Sequence, residues 1–308
     1  MEAPLVQIGA ARPRLPEWAR NSSTRSEALH RLKAGFRSAR LHTVCESARC
    51  PNIHECFGRG AATFLILGDR CTRGCGFCAV AKGGPARLDP QEPANVARMA
   101  AAMDLRYVVI TSVTRDDLED GGSRHFAETV RRVRQALPQA RVEALTPDFQ
   151  GDPSAIARVL DAGPHVFNHN VETVPRLYGR VRPQADYRRS LDVLEFAGRY
   201  LGAATVRERL PGGLVKSGFM VGLSETEAEV HALLRDLHAA GTEVATIGQY
   251  LQPARRNLPV AAYIEPRQFA AYAEYGRELG FRAVFSGPLV RSSYMAEAVS
   301  EEALRRPC

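Results

Sequence analysis

The chain has 308 residues, of which 45% are hydrophobic and 24% charged, and its formal net charge is +7. This composition supports a sizeable core and argues against an intrinsically disordered chain. No apolar run approaches the roughly 18 residues of a membrane span, and the N-terminus lacks the apolar segment of a signal peptide. The sequence predicts a cytoplasmic protein that does not bind membranes and whose mild positive charge suits an acidic partner.

Composition divides the chain into three zones, which we predict to be its structural units. Residues 1–60 are polar and irregular, with one helix predicted near 24–39. Residues 61–290 alternate short apolar runs with amphipathic stretches, and residues 291–308 form a short tail. The expected organisation is an N-terminal extension, a central domain and a C-terminal tail.

The central zone has the pattern of repeated strand–helix units. Apolar runs, typical of parallel strands covered on both faces, predict strands at 63–67, 107–113, 141–146, 165–170, 215–221, 244–250 and 281–286. Helical spacing separates them, as in the apolar face within 230–237, where Ser224 and Glu227 predict a capping box. The alternation predicts an α/β fold, a partial or complete (β/α) barrel whose active residues lie where strands end.

Six of the seven cysteines fall between Cys45 and Cys78. Disulfides are rare in a reducing cytosol, and cysteines that form structural disulfides would be spread around the fold. Crowded cysteines instead indicate metal ligands. We expect Cys308, at the last position, to have no part in a site.

Cys71, Cys75 and Cys78, here called the second cysteine group, follow the first central strand with the spacing Cys-x3-Cys-x2-Cys. Thiolates favour zinc and iron–sulfur clusters. A structural zinc site needs four ligands, whereas this run supplies three, with no histidine within several residues. Three thiolates on a four-iron cluster leave one iron open to a substrate. The spacing favours such a cluster, with a zinc knuckle as the alternative.

Cys45, Cys50 and Cys56, here called the first cysteine group, have the spacing Cys-x4-Cys-x5-Cys. This group also supplies three thiolates. His54 lies inside it and is a candidate fourth ligand, so spacing alone leaves both zinc and an iron–sulfur cluster open.

The run CTRGCGFC resembles the cluster loop of radical S-adenosylmethionine enzymes, and its pairing with CESARCPNIHECF resembles the lipoyl synthase family. Further matching runs are ATFLILG, YVVITSVTRDDLEDGG, VFNHNVET, VRPQADY, KSGFMVGL, GQYLQP and GPLVRSSY. This ordered set covers about residues 40–295, and LPEW near Trp18 fits as well. The visible departure is the segment 199–214, which we predict to be a surface insertion.

The resemblance implies two 4Fe–4S clusters with different roles. The cluster of the second cysteine group would bind S-adenosylmethionine and cleave it to a radical that removes hydrogen from an unactivated carbon. The cluster of the first cysteine group would be auxiliary and donate sulfur. Its fourth ligand would be a serine of the RSSY motif, which carries over to Ser293, with Ser292 as the competing candidate.

The resemblance also implies the reaction and its partners. Sulfur would be inserted at the sixth and eighth carbons of an octanoyl-lysine on a lipoyl domain of a 2-oxoacid dehydrogenase or on the glycine-cleavage H protein. A flavodoxin or ferredoxin would supply electrons, an iron–sulfur carrier protein would supply clusters, and nucleic acid would not be bound. The alternatives are another radical sulfur-inserting enzyme, such as a transfer-RNA methylthiotransferase, and a zinc-dependent nucleic-acid-binding protein.

Several polar residues near predicted strand ends are candidates for contact with S-adenosylmethionine. These residues are Asn168, Asn170, Glu172, Arg182 and Lys216. The two asparagines and Glu172 suit ribose and amino-acid groups. Arg182 and Lys216 suit a carboxylate, with which a guanidinium can form two parallel hydrogen bonds.

Three further residues complete the predicted site. Phe77 lies inside the second cysteine group, where we expect it to pack against the cluster or the adenine. Arg291 precedes the two serines and is predicted to guide the modified lysine. His169 is predicted to be a buried strand histidine rather than a base.

Overall fold

The strands and helices follow the predicted alternation. The structure is a computed structural model, which describes residues 15–20, 27–48, 50, 52–58, 63–294 and 296–305. Its strands are β1 (His42–Thr43), β2 (Thr63–Ile66), β3 (Arg70–Cys71), β4 (Ala81–Lys82), β5 (Tyr107–Ser112), β6 (Arg141–Leu145), β7 (Val166–Asn168), β8 (Leu214–Val221), β9 (Val244–Gln249) and β10 (Ala283–Gly287). Its helices are α1 (Glu27–Ser38), α2 (Val44–Ser47), α3 (Ile53–Gly58), α4 (Glu92–Ala102), α5 (Ser123–Ala136), α6 (Pro153–Asp161), α7 (Tyr178–Val181), α8 (Tyr187–Gly202), α9 (Ala204–Arg209), α10 (Glu227–Ala239), α11 (Pro266–Leu279) and α12 (Ala296–Arg305). Cys308 lies outside the described residues.

One eight-stranded sheet forms the frame, in the order β1-β2-β5-β6-β7-β8-β9-β10. The seven strands from β2 to β10 are parallel, and each corresponds to a predicted strand. β1, from the N-terminal zone, pairs antiparallel with β2. Among the described strands the sheet ends at β1 and β10, so the barrel is partial rather than complete.

Helices cover the outside of the sheet because each turns an apolar stripe towards it. On α10 this stripe is Val230, Leu233, Leu234 and Leu237, all fully buried as predicted. α12 packs differently, since its Ala303 clusters with residues at the starts of β7, β8, β9 and β10. The amino ends of these strands are therefore covered, and their carboxyl ends are left for a site.

Two local predictions were wrong. The capping box of α10 is formed by Thr226 and Glu229, with Thr226 Oγ1 accepting from the Glu229 N–H at 3.3 Å. Ser224 lies before this cap at a φ of 91°, and the same spacing recurs two residues later. The segment 199–214 is not only a surface insertion. It contains the end of α8 and all of α9, and it contributes Leu201, Val206 and Leu210 to the main core.

No described helix is long and apolar enough to cross a membrane.

Candidate functional site

A cavity of about 490 Å³ lies at the carboxyl ends of the parallel strands. The predicted site residues that line it are Cys45, Cys50, Cys71, Cys75, Phe77, Cys78, Asn170, Glu172, Arg182, Arg291 and Ser293. Cys56, Asn168 and Lys216 are not among its lining residues. Members of both cysteine groups therefore face one shared space, at the end of the sheet where barrel active sites lie.

The second cysteine group begins at the end of β3, with Cys71, and continues on the loop that leads to β4, which pairs with β3. The backbone N–H groups of Arg73 and Thr114 point at Cys71 Sγ, at 3.4 and 3.3 Å. Burial, together with the neighbouring Cys75 and Cys71, raises the pKa of the Cys78 thiol to about 12. Crowded thiols of this kind ionise when they bind a metal, whose positive charge offsets both effects.

Arg73 anchors this loop, and sequence reasoning missed it. Its guanidinium forms two hydrogen bonds with the fully buried Asp148, at 2.9 and 2.7 Å, and two with Asp116, at 2.7 and 2.9 Å. Burial acts to raise the pKa of Asp148, but the paired Arg73 outweighs it and lowers that pKa to about 2. The available signal was an arginine inside the cysteine run together with aspartates after predicted strands.

A second polar wall of the cavity follows β7. Arg182 donates to the carbonyl oxygens of Asn170 and Val171, at 2.9 and 3.1 Å, and so holds the turn after the strand. Asn170 Nδ2 donates to Glu172 Oε1 at 3.1 Å. Burial raises the pKa of the Glu172 carboxyl, and Arg182 opposes that rise.

Unused hydrogen-bonding capacity marks this wall as a binding surface. Asn170 Oδ1 and Arg182 Nε are buried and have no hydrogen-bond partner among the described residues. Buried polar atoms are nearly always paired, so these atoms fit a polar ligand in the cavity. The residues present therefore suit a cosubstrate with amino, carboxylate and hydroxyl groups.

His169 is a buried histidine, as predicted. Its ring is 1% exposed, and Nδ1 lies 3.0 Å from the Thr146 carbonyl oxygen. Burial, reinforced by Arg182, lowers its pKa to about 4, so the ring is neutral near pH 7.

In the first cysteine group, Cys45 lies on α2, Cys56 lies on α3 and Cys50 lies between these helices. Cys45 follows the N-cap Thr43, whose Oγ1 accepts from the Glu46 N–H at 3.2 Å. Burial raises the pKa of the Cys45 thiol to about 12, with further contributions from Cys50 and Cys56, so the three sulfurs influence one another. Among the described residues, no three His, Cys, Asp or Glu side chains are close enough together for a single metal ion.

The chain segment after β10 closes the cavity beside the first cysteine group. Arg291 is half-buried near Cys50, and its partial removal from water lowers its pKa. Ser292 and Ser293 both line the cavity, whereas His54, the other candidate fourth ligand, does not. The Ser292 hydroxyl accepts from Asn170 Nδ2 at 2.6 Å. No described residue hydrogen-bonds the Ser293 hydroxyl, so of the two serines Ser293 is the one left for a ligand.

Two contacts join this segment to the N-terminal zone. Asn52 Nδ2 donates to the Leu289 carbonyl oxygen at 2.7 Å. The Tyr294 hydroxyl lies 3.1 and 3.2 Å from the two carboxylate oxygens of Glu55. Residues more than two hundred positions apart thus hold the first cysteine group in place.

Asn168 and Lys216 have a different position from the one that the sequence suggested. Both side chains are buried and contact Glu143, with Asn168 Nδ2 at 2.7 Å and Lys216 Nζ at 3.0 Å from its Oε1. The Lys216 ammonium is neutralised by this carboxylate, and neither residue lines the cavity. The geometry therefore gives them no direct contact with a cavity ligand.

Comparisons with protein families identify the family of the chain. Residues 65–237 match the model of the radical SAM superfamily, and residues 2–50 match the model of the N-terminal domain of lipoyl synthase. Lipoyl synthase of Rubrobacter xylanophilus is 52% identical over 94% of this chain and 88% of its own length. Lipoyl synthase of Methylococcus capsulatus is 53% identical over 92% of this chain and 86% of its own length.

Solved structures agree on the fold alone. HydG, a maturase of the FeFe-hydrogenase, superposes with a TM-score of 0.53 at 14% identity, over 90% of this chain and 60% of that one. Streptococcus suis SuiB bound to S-adenosylmethionine gives a TM-score of 0.53 at 10% identity, over 74% of this chain and 50% of that one. At such identities the likeness extends to the partial barrel and not to the substrate.

Proposed function

This chain belongs to the lipoyl synthase family of radical S-adenosylmethionine enzymes, and from that premise we propose how its cavity serves the reaction. The family inserts sulfur into a protein-bound octanoyl chain, with a 4Fe–4S cluster and S-adenosylmethionine. The methylthiotransferase and zinc-protein alternatives do not fit relatives that are lipoyl synthases at about half identity over most of the chain. The proposals concern the second cluster, the residue roles and the partners.

We assign one cluster to each cysteine group. The observation that carries this assignment is that members of both groups line the same cavity. When bound, the clusters supply the electron that cleaves S-adenosylmethionine and the sulfur that is inserted. The protein residues hold and orient the reactants and limit access by water, which a reactive radical requires.

The roles of the remaining residues follow from their positions. Asn170, Glu172 and Arg182 form the wall next to the second cysteine group and bind S-adenosylmethionine, with Phe77 packing beside it. Ser293 is the fourth protein ligand beside the first cysteine group, with Cys56 completing the three thiolates. Arg291 borders the path of the octanoyl-lysine.

The protein partners are proposed from the family and from charge. The substrate is an octanoylated protein, and we propose a lipoyl domain of a 2-oxoacid dehydrogenase or the glycine-cleavage H protein. A flavodoxin or ferredoxin is the proposed reductant, and an iron–sulfur carrier protein the proposed source of clusters. The net charge of +7 favours association with acidic proteins of this kind.

Two matched triple variants test the assignment. Replacing the second cysteine group by alanine should lower iron from about eight to about four per chain and abolish formation of 5′-deoxyadenosine. Replacing the first cysteine group should lower iron equally, but 5′-deoxyadenosine should still form while no lipoyl product appears.

Anaerobic iron and sulfide analysis, nucleoside quantification and mass spectrometry of an octanoylated peptide measure these outcomes. Lipoyl product at a normal rate from the variant lacking the first group, without added sulfide, would overturn the donor assignment. Full iron in either variant would overturn the ligand assignment.

A further inference from the structure

The segment 290–293 lies directly against the inner backbone of β8 and β9. At Gly248 on β9, a side-chain Cβ would collide with the Val290 carbonyl oxygen and lie 3.2 Å from Arg291 Nη1. At Gly218 on β8, a Cβ would lie 2.8 Å from Ser292 Oγ. Gly248 makes room for the backbone of a chain segment that follows the last strand, because only glycine permits such close approach of two backbones. Gly218 makes room for the hydroxyls of both Thr246 and Ser292.

The buried side chain of Lys216 holds this segment by a hydrogen bond to its backbone. Lys216 Nζ donates to the Ser292 carbonyl oxygen at 2.5 Å, and to both carboxylate oxygens of Glu143 at 3.0 and 3.1 Å. The side chains of Lys216 and Glu143 are 1% and 0% exposed. Glu143 is fixed in turn by the Tyr107 hydroxyl at 2.7 Å. All donor positions of the ammonium are directed at named acceptors, one of which belongs to the segment.

A buried ion pair is weak evidence for stability, since desolvation of both charges offsets their attraction. The ion pair matters here because it fixes a direction. With the ammonium of Lys216 paired to Glu143, its remaining N–H points at one carbonyl oxygen, that of Ser292. Asn170 adds a second contact by donating to Ser292 Oγ at 2.6 Å. Both the carbonyl and the hydroxyl of Ser292 are thereby engaged, and the next residue, Ser293, faces the cavity.

We propose that Lys216 is a positioning residue, which with Glu143 and Asn170 docks Ser292 and so sets the direction of Ser293 towards the first cysteine group. The contacts of Lys216 and Asn170 to Ser292, here called the dock, are made by the protein chain alone. Their consequence for cluster binding rests on the proposed ligand role of Ser293. Since Asn170 also contacts Glu172, the dock connects the segment to the wall that follows β7.

The test removes the dock without leaving a buried unpaired charge. In the double variant Lys216→Met with Glu143→Gln, the contact to the Ser292 carbonyl is lost, while the amide introduced at position 143 can still pair with Tyr107. Hydrogen exchange of the segment 288–294, measured on the full chain without metal, should rise about ten- to hundredfold, as expected for loss of a charged hydrogen bond. Exchange within β8 and β9 should stay unchanged.

Two further variants serve as a second test of the contact and as a control. Gly248→Ala places a methyl group whose nearest atoms all belong to Val290 and Arg291, and it should raise exchange in the same segment. The control is Arg282→Met with Glu243→Gln, which removes a 2.9 Å ion pair at the start of β9 and β10 that does not contact the segment. Unchanged exchange at 288–294 in both the double variant and Gly248→Ala would overturn the dock.

Reconstituted protein separates the dock from the ligand role. The double variant should reproduce the iron content and the electron paramagnetic resonance spectrum of Ser293→Ala, with 5′-deoxyadenosine formation retained. If Ser293→Ala leaves iron, spectrum and sulfur insertion unchanged while the double variant still loosens 288–294, the ligand role fails and the dock stands. If the double variant matches the unaltered protein in exchange and spectrum alike, the dock is wrong whatever Ser293 does.

Discussion

Members of both cysteine groups face the same cavity, but the two groups are held there in different ways. The second group lies on a loop that leaves the sheet directly, and Arg73 within that loop bonds to Asp116 and Asp148 after neighbouring strands. The first group lies on short helices before the barrel, and its contacts include the segment after β10, through Asn52 and Glu55. The second group is therefore supported by the sheet itself, whereas the first group also relies on a segment from the other end of the barrel.

This difference suits the proposed roles. A cluster that binds and orients a cosubstrate benefits from rigid support. A cluster that gives up sulfur must change its composition, and a site held by a few contacts from a separate segment can open without disturbing the barrel. Perturbing each set of contacts should therefore separate cosubstrate cleavage from sulfur insertion.

The largest effect is expected from Arg73→Met. This change leaves the fully buried Asp148 with only the more distant cation Arg189, at 3.5 Å, and we expect a cost of about 3 kcal/mol, the lower end of the range for a broken buried pair. The loop of the second cysteine group should lose its position, and 5′-deoxyadenosine formation should fall to background. Urea unfolding and nucleoside quantification measure both effects. The control is Arg176→Met, which breaks an exposed pair with Glu229. A variant at Arg73 that still cleaves the cosubstrate normally would refute the anchoring role.

Acid should weaken the same anchor without a mutation. Folding lowers the pKa of Asp148 from its usual 3.8 to about 2. A carboxyl with a depressed pKa stabilises the fold above its unfolded value and loses that contribution as the pH falls through its folded value. We expect a loss of about 2 kcal/mol in the free energy of unfolding between about pH 4 and pH 2. Asp148→Asn should show a correspondingly shallower decline in urea titrations over that range, and an equal decline would contradict the assignment.

Two buried asparagines offer a matched comparison between the groups. Asn52 donates to the Leu289 carbonyl oxygen, and Asn257 donates to those of Gly76 and Cys78, at 3.2 and 2.9 Å. Each alanine variant should cost about 1–3 kcal/mol, because it removes the hydrogen bonds that a buried amide donates to these carbonyl oxygens. Asn52→Ala should reduce lipoyl formation more than cosubstrate cleavage, and Asn257→Ala should reduce both together. The same ratio of the two products in both variants would show that the groups are not independently supported.

The smallest effect is expected from Tyr294→Phe, which removes one hydroxyl contact to Glu55. We expect a cost of about 1 kcal/mol and a modest fall in lipoyl formation with cosubstrate cleavage retained. Anaerobic assays of both products measure it. A fall in 5′-deoxyadenosine as large as the fall in lipoyl product would place Tyr294 in the support of the second group instead.

Local patterns in the sequence were sufficient for much of the fold. Predominantly apolar runs, several of them continuous, identified all seven parallel strands, since a strand covered on both faces buries most of its side chains. The capping box was displaced by two residues, because Ser224 and Thr226 are each followed by a glutamate three positions later and only backbone conformation distinguishes them. The segment 199–214 was misjudged because its three core residues are separated by polar ones.

The sequence by itself determined the clustering and spacing of the cysteines, the strand–helix alternation and the family, because each depends on residue types at short spacing. Only the tertiary structure decided that both cysteine groups share a cavity, that Lys216 and Asn168 contact Glu143, and that Ser292 is engaged while Ser293 faces the cavity. These facts depend on which segments the sheet order brings together and on the direction of each side chain. Asn168 and Asn170 differ by two positions, yet one is inside the barrel and the other lines the site, since β7 ends between them and the alternation of its side chains ends with it.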